Sequence, residues 1–114
     1  MVRNRLNSMP TNTDQQLLDQ IRDRLSREAG NRLSRIILYG SRATGEATQD
    51  SDFDILVVEK GPISKLEESK RLRLAMHDFP YPLDVWVMSE EEFEETKNVI
   101  GGLAYPANKY GIAL

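Results

Sequence analysis

Cysteine is absent from the 114 residues, which excludes disulfides, thiolate zinc sites and thiol redox motifs. That lack fits a cytoplasmic protein, and the cytoplasm is the expected location. No apolar run approaches the roughly 20 residues that a membrane helix needs, so no membrane association is expected. The basic start, Met1-Val2-Arg3-Asn4-Arg5-Leu6, lacks the apolar core of a signal peptide. Excess charge of one sign is also missing. Fifteen basic and 18 acidic side chains leave a net charge of -3, so the chain does not read as a nucleic-acid binder. The one histidine, His77, falls on a predicted helix away from the acidic motif described below and reads as structural. There is no internal repeat and no low-complexity stretch.

What is present fits one small domain. Hydrophobic residues make up 39%, enough for a modest core, but the length leaves no room for a separate substrate domain. Residues 1–12 read as a flexible N-terminus, with Met9 as an alternative start, and 13–114 as the domain. Thr13 and Gln16 form a capping-box pattern at the head of a helix over 13–29. Its apolar face is Leu17, Leu18, Ile21, Leu25 and Ala29, and Gly30 is placed to end it. Near-continuous apolar runs predict strands over 35–39 and 53–59. A helix over 63–78 follows, capped by Ser64, with a less regular stripe of Leu66, Leu72, Leu74, Ala75 and Met76. Its basic residues Lys65, Lys70, Arg71 and Arg73 make either a solvated face or a contact for phosphate or an acidic partner. A third strand is expected over 83–88. A third helix is capped by Ser89 and Glu92, buries Phe93, Val99 and Ile100, and stops at Gly101-Gly102. Residues 111–114 are a candidate final strand.

The chemistry concentrates between the first two strands, in Gly40-Ser41-Arg42-Ala43-Thr44-Gly45-Glu46-Ala47-Thr48-Gln49-Asp50-Ser51-Asp52-Phe53-Asp54. Side chains alternate across a strand, so Asp52 and Asp54 point the same way. Two carboxylates on one face repel unless a cation lies between them, and hard oxygen ligands at this spacing suit Mg²⁺ with substrate phosphates. The Gly40-Ser41 turn offers backbone N–H groups and a hydroxyl to a phosphate. Asp84 interrupts the third apolar strand, where a buried acid is costly unless paired or metal-bound. It either sits wet at the strand end or supplies a third carboxylate or general base.

This stretch resembles the nucleotidyltransferase superfamily typified by DNA polymerase beta and kanamycin nucleotidyltransferase. The shared pattern is Gly40-Ser41, a spacer, Asp52-Phe53-Asp54, and Asp84 on a later strand. Arg42, Ala43, Gly45 and Ser51 make it look like the minimal nucleotidyltransferase (MNT) branch. The resemblance covers roughly residues 13–114. It implies an α/β (α+β) domain of nucleotidyltransferase fold, with a mixed β-sheet, helices mainly on one face and the active site on the other.

It further implies ATP as substrate and Mg²⁺, two ions in all, with Asp52, Asp54 and Asp84 as catalytic and metal-binding residues. Gly40 and Ser41 would hold the β,γ-phosphates. Arg42 would either join them or pair with Glu46 or Asp50, and Ser51 would either join them or shape the turn. Trp86, on the Asp84 face, would line the nucleotide pocket or pack in the core.

Proteins of this branch are often paired with a helical HEPN-type toxin. The resemblance thus implies an antitoxin, type VII-like, that transfers AMP from ATP to a toxin hydroxyl, with tyrosine the expected acceptor, in a hetero-oligomer. An antitoxin that acts by binding alone and a small-molecule, antibiotic-type nucleotidyltransferase are the alternatives. The intact carboxylate set favours the enzyme over the pure binder.

Overall fold

A computed structural model describes residues 2–4 and 12–114, with only the backbone of residues 12 and 13. Helix α1 (Asn12–Ala29) buries Leu18, Ile21, Leu25 and Ala29, the stripe its periodicity predicts. Its first helical residue is Asn12, so Thr13 lies inside the first turn and is not the cap. Gly30, at φ 62°, opens a single 3-10 turn (Gly30–Arg32) that leads into the sheet.

Three seven-residue strands form the sheet's centre: β2 (Leu33–Tyr39), β3 (Phe53–Glu59) and β4 (Leu83–Ser89). Strand β3 is antiparallel to β2 and parallel to β4. The parallel pair needs a crossover, supplied by helix α3 (Lys65–Ala75). A short β5 (Ile112–Ala113) pairs antiparallel with β2, and β1 (Arg3–Asn4) runs parallel to β5, giving the order β1-β5-β2-β3-β4. The sequence places residues 1–12 in a flexible end; instead, Arg3 and Asn4 join the sheet. The Arg3 guanidinium also donates to the Ala43 and Tyr110 carbonyls. Met1 and the candidate start Met9 lie outside the described residues.

Period two divides the sheet's side chains into two cores. Ile36, Leu38, Phe53, Ile55, Val57, Val85 and Val87 face α1 and α3. Ile37, Tyr39, Leu56, Val58 and Met88 face the other way, against Phe93, Ala104 and Ala107. Those last three come from two short helices, α4 (Glu90–Thr96) and α5 (Ala104–Tyr110). The expected mixed sheet is present with its two long helices on one face, while two short helices cover part of the second face.

The differences from expectation have local causes. The Ser89 hydroxyl accepts from the Glu92 N–H at 3.1 Å, so the predicted cap forms. Helix α4 then stops at Thr96, and Val99 and Ile100 are exposed, 57% and 80%, in the turn that follows. Helix α5 has no counterpart in the sequence reading, and it contains Pro106. It lies in the first turn, where its missing N–H costs nothing. In α3, Leu72 is buried, whereas Leu66 and Leu74 face solvent. The buried positions beside Leu72 are Glu68 and Ser69. The Ser69 hydroxyl accepts from the Val87 N–H at 3.0 Å, capping a donor on the outer edge of β4.

Glu59, at the end of β3, is fully buried, with no aligned hydrogen bond to either carboxyl oxygen. Burial, then the neighbouring Glu68 carboxylate, push it up to about 7 from 4.5, while Arg71 holds Glu68 down to about 2. Between pH 4.5 and 7 the unfolded chain therefore releases a proton at Glu59 that the folded chain keeps. The stabilisation is complete below 4.5 and is lost as pH rises through 7. The Glu68 effect has the opposite sign and a different window, being lost as pH falls below 4.5 towards 2. Glu59→Gln keeps the neutral shape and has no proton to lose. Its stability relative to wild type should rise by up to about 3 kcal/mol between pH 5 and 8. Paired urea titrations at the two pH values check this, and a pH-independent difference would refute it.

Candidate active site

Strand register builds the site. Tyr39 lies opposite Asp54, and Asp54 opposite Asp84, so three side chains form one row across β2, β3 and β4. By period two this row belongs to the face of Leu56, Trp86 and Met88, above the part covered by α4 and α5. Asp52 stands just before β3 and is exposed, while Asp54 is half-buried. Between them Phe53 turns into the opposite core, edge-on to Phe79 at 5.5 Å and to Tyr81 at 6.1 Å. Anchoring Phe53 there keeps the flanking carboxylates on the other side.

Residues Ser41–Thr44 form a single turn of helix, α2, which opens at Gly40. The Gly40 carbonyl accepts from the Ala43 and Thr44 N–H groups at 3.0 and 3.3 Å. Gly40 has φ 76° and ψ −161°, a conformation that glycine alone adopts readily. A Cβ on Gly40 would also strike Asp54 Oδ2. The backbone of the Gly-Ser turn thus lies directly against the strand carboxylate. A cavity of about 420 Å³ adjoins Gly40 and Ser41 and is also lined by Pro106 and Tyr110.

The electrostatics show crowded negative charge. Asp54 is raised by burial first, then by Asp52 and Asp84. Tyr39 is pushed up to about 12 by burial, with Asp54 and Asp84 adding to it, so the phenol stays neutral. Carboxylates crowded together in this way suit a hard divalent cation, and the glycine cradle beside them suits a phosphate. Asp52, Asp54, Gly40 and Ser41 therefore fit both. Among the described residues, no three Asp, Glu or His side chains converge as they would around one ion. The Asp84 oxygens lie 3.1 Å from Arg73 Nη2 and 2.9 Å from the Trp86 indole nitrogen.

Two expected phosphate contacts are used otherwise. Arg42 donates to the Ser51 carbonyl at 2.9 Å and the Gln49 carbonyl at 3.2 Å, and its guanidinium lies 4.1 Å over the Phe53 ring. It therefore braces the loop on the α1 side and pairs with neither Glu46 nor Asp50. The Ser51 hydroxyl accepts from the Thr48 N–H at 2.9 Å, so Ser51 shapes the turn. Trp86 lies on the Asp84 face and bonds that carboxylate. His77 is exposed, with Nδ1 2.9 Å from the Leu74 carbonyl at the end of α3, in keeping with a structural role. Tyr39 and Arg73 are site residues that sequence reasoning missed. Counting by twos from Ile37 could have flagged Tyr39, the last strand residue before Gly40.

A Methanocaldococcus jannaschii protein named "Putative protein adenylyltransferase MJ1305" is 36% identical to this chain over 66 residues, which are 57% of the chain and 45% of that protein. The chain thus spans less than half the length of that relative. The solved structure of "a putative nucleotidyltransferase from Sulfolobus solfataricus" superposes with a TM-score of 0.61 over 86% of this chain and 76% of its own. At 21% identity that likeness bears on the fold. No helix among the described residues is long and apolar enough to cross a membrane. The family model "Nucleotidyltransferase domain" matches residues 18–104, which run from the buried face of α1 through Gly40-Ser41, Asp52, Asp54 and Asp84 to the start of α5, and the chain belongs to that family.

Proposed function

We propose that this protein is a metal-dependent nucleotidyltransferase that transfers AMP from ATP to a hydroxyl of a partner protein. The observation that carries the reading is the contact between the Gly40 backbone and the Asp54 carboxylate, in a row with Asp84. Phosphate cradle, cation ligands and a further carboxylate are contiguous on an open face. Membership of the family supports nucleotidyl transfer, and the name of the archaeal relative supports a protein acceptor. The proposed acceptor is a tyrosine of a helical HEPN-type toxin, which would make the chain an antitoxin.

Asp52 and Asp54 would hold Mg²⁺, which supplies charge neutralisation on the triphosphate. Gly40 and Ser41 hold the β,γ-phosphates by backbone N–H groups and the hydroxyl. Asp84 takes the proton of the acceptor hydroxyl. The acceptor oxygen bonds to the α-phosphorus as the α–β bridging bond breaks, and pyrophosphate leaves with the displaced electron pair. Neutral Tyr39 closes the row beside Asp54 and adds no charge to it.

The test is incubation with Mg²⁺ and α-labelled ATP, with and without the co-purifying partner. A labelled partner band that chelation abolishes is the expected result. An unlabelled partner that still co-purifies would refute transfer to protein and leave neutralisation by binding.

A further inference from the structure

The side chain of Arg73 belongs to α3, on the opposite side of the sheet from the carboxylates, yet it reaches around the outer edge of β4 to the catalytic face. Its Nε donates to the Val85 carbonyl at 2.8 Å, an edge acceptor that no neighbouring strand satisfies. Its guanidinium lies 4.2 Å over the Trp86 ring, and Nη2 is 3.1 Å from Asp84 Oδ1. Trp86 completes the circuit by donating from Nε1 to Asp84 Oδ2 at 2.9 Å. Each oxygen of this carboxylate thus has its own partner, and those partners are stacked on one another. Arg73 Nη2 is buried and makes no aligned hydrogen bond, so its approach to Asp84 is that of an ion pair.

This arrangement does more than the edge of β4 requires. Ser69 caps the Val87 N–H from the same helix with only a small hydroxyl. An arginine is needed only where one planar group must bond a carbonyl, lie flat on an indole and pair with a carboxylate together. The Asp84 side chain is 45% exposed, so packing alone does not hold its rotamer.

We infer that Arg73 is a positioning residue for nucleotidyl transfer: with Trp86 it clamps the Asp84 carboxylate in one orientation beside Asp54. This rests on the proposed role of Asp84. Held in that orientation beside Asp54, Asp84 meets the acceptor hydroxyl with one fixed oxygen geometry. Loss of orientation at a group that takes a proton costs rate, since a misplacement of about 1 Å can cost about 10²-fold. Binding of ATP, held at Gly40 and Ser41, is left nearly unchanged.

The test compares Arg73→Gln, Arg73→Lys and Ser69→Ala with wild type. Arg73→Gln should lower kcat by about 10- to 100-fold with KM for ATP within about threefold. Arg73→Lys keeps the charge without the planar fork and should recover part of that loss. Ser69→Ala loosens the same strand edge, so it should lower the melting temperature with kcat unchanged. Trp86 is the sole tryptophan and gives a single indole N–H resonance in a ¹⁵N-labelled sample. That resonance should move in Arg73→Gln and in Asp84→Asn, and stay in Ser69→Ala. A folded Arg73→Gln with kcat within twofold of wild type would overturn the clamp while the transferase reading stands. So would Ser69→Ala losing as much kcat as Arg73→Gln. A wild-type chain that labels no acceptor would instead overturn the transferase reading, and the clamp's catalytic use with it.

Discussion

Replacing Asp52 and Asp54 together by alanine should reduce nucleotidyl transfer by at least about 10²–10⁴-fold and leave the protein folded. The two halves of this expectation have one cause. Asp54 is raised by burial and by the charges of Asp52 and Asp84, so in the metal-free protein the fold disfavours its ionised form. A carboxylate that the fold resists contributes nothing to stability above its titration. Removing the pair relieves repulsion, and among the described residues neither side chain makes a hydrogen bond or ion pair that would be lost. The melting temperature in EDTA should therefore match or exceed that of wild type. Transfer loses the charge neutralisation on which the reaction depends. Mg²⁺ with a non-hydrolysable ATP analogue should raise the melting temperature of wild type and leave that of the double variant in place, because only a state that binds ligand is stabilised by it. Two assays decide the matter: initial rates with α-labelled ATP, and thermal melts with and without ligand. A folded double variant with rates within tenfold of wild type would remove both aspartates from the mechanism.

Residues that answer to a period were legible in the sequence. The predicted span of β3 matches residue for residue, and β2 and β4 were found within about two residues, because strands buried on both faces read as unbroken apolar runs. The stripe of α1 was legible for the same reason. Alternation put Asp52 and Asp54 on one side, and the register of β3 with β4 then makes Asp84 the neighbour of Asp54. Loop side chains answer to no period. Arg42 and Ser51 lie within the motif, yet they turn to the loop's own backbone, because nothing in a loop's spacing says on which side of the sheet a side chain falls. Arg73 was hidden for a topological reason. Its partners Asp84 and Trp86 lie across a strand edge, and that β4 is an edge strand emerges only once the sheet order is known. In α3 the irregular stripe was itself the signal: a helix that buries Glu68 and Ser69 beside Leu72 is covering a strand edge and partnering a carboxyl.

Gly40→Ala should remove most transfer activity, by about 10²-fold or more, and destabilise the fold by about 1–3 kcal/mol. Gly40 has φ 76° with ψ −161°, where a side chain is strained whatever the surrounding space. The space is also filled, since the new methyl would meet Asp54 Oδ2, with Cγ at 3.3 Å and Cβ at 3.5 Å. Strain alone would lower stability without touching the chemistry. The collision acts on the chemistry, because it must displace either the cation-holding carboxylate or the turn that cradles phosphate. Gly45 separates the two effects. It sits at φ 83° and ψ 10°, in the left-handed region, with no atom near a would-be Cβ. Gly45→Ala should therefore cost about 1 kcal/mol of stability and change kcat/KM by no more than a few-fold. Melting temperatures and kcat/KM for both variants make the comparison. Equal losses of activity at Gly40 and Gly45 would mean that general loop strain governs the rate. A loss confined to Gly40→Ala would tie the reaction to the point where the turn meets Asp54, because that contact is what distinguishes the two glycines.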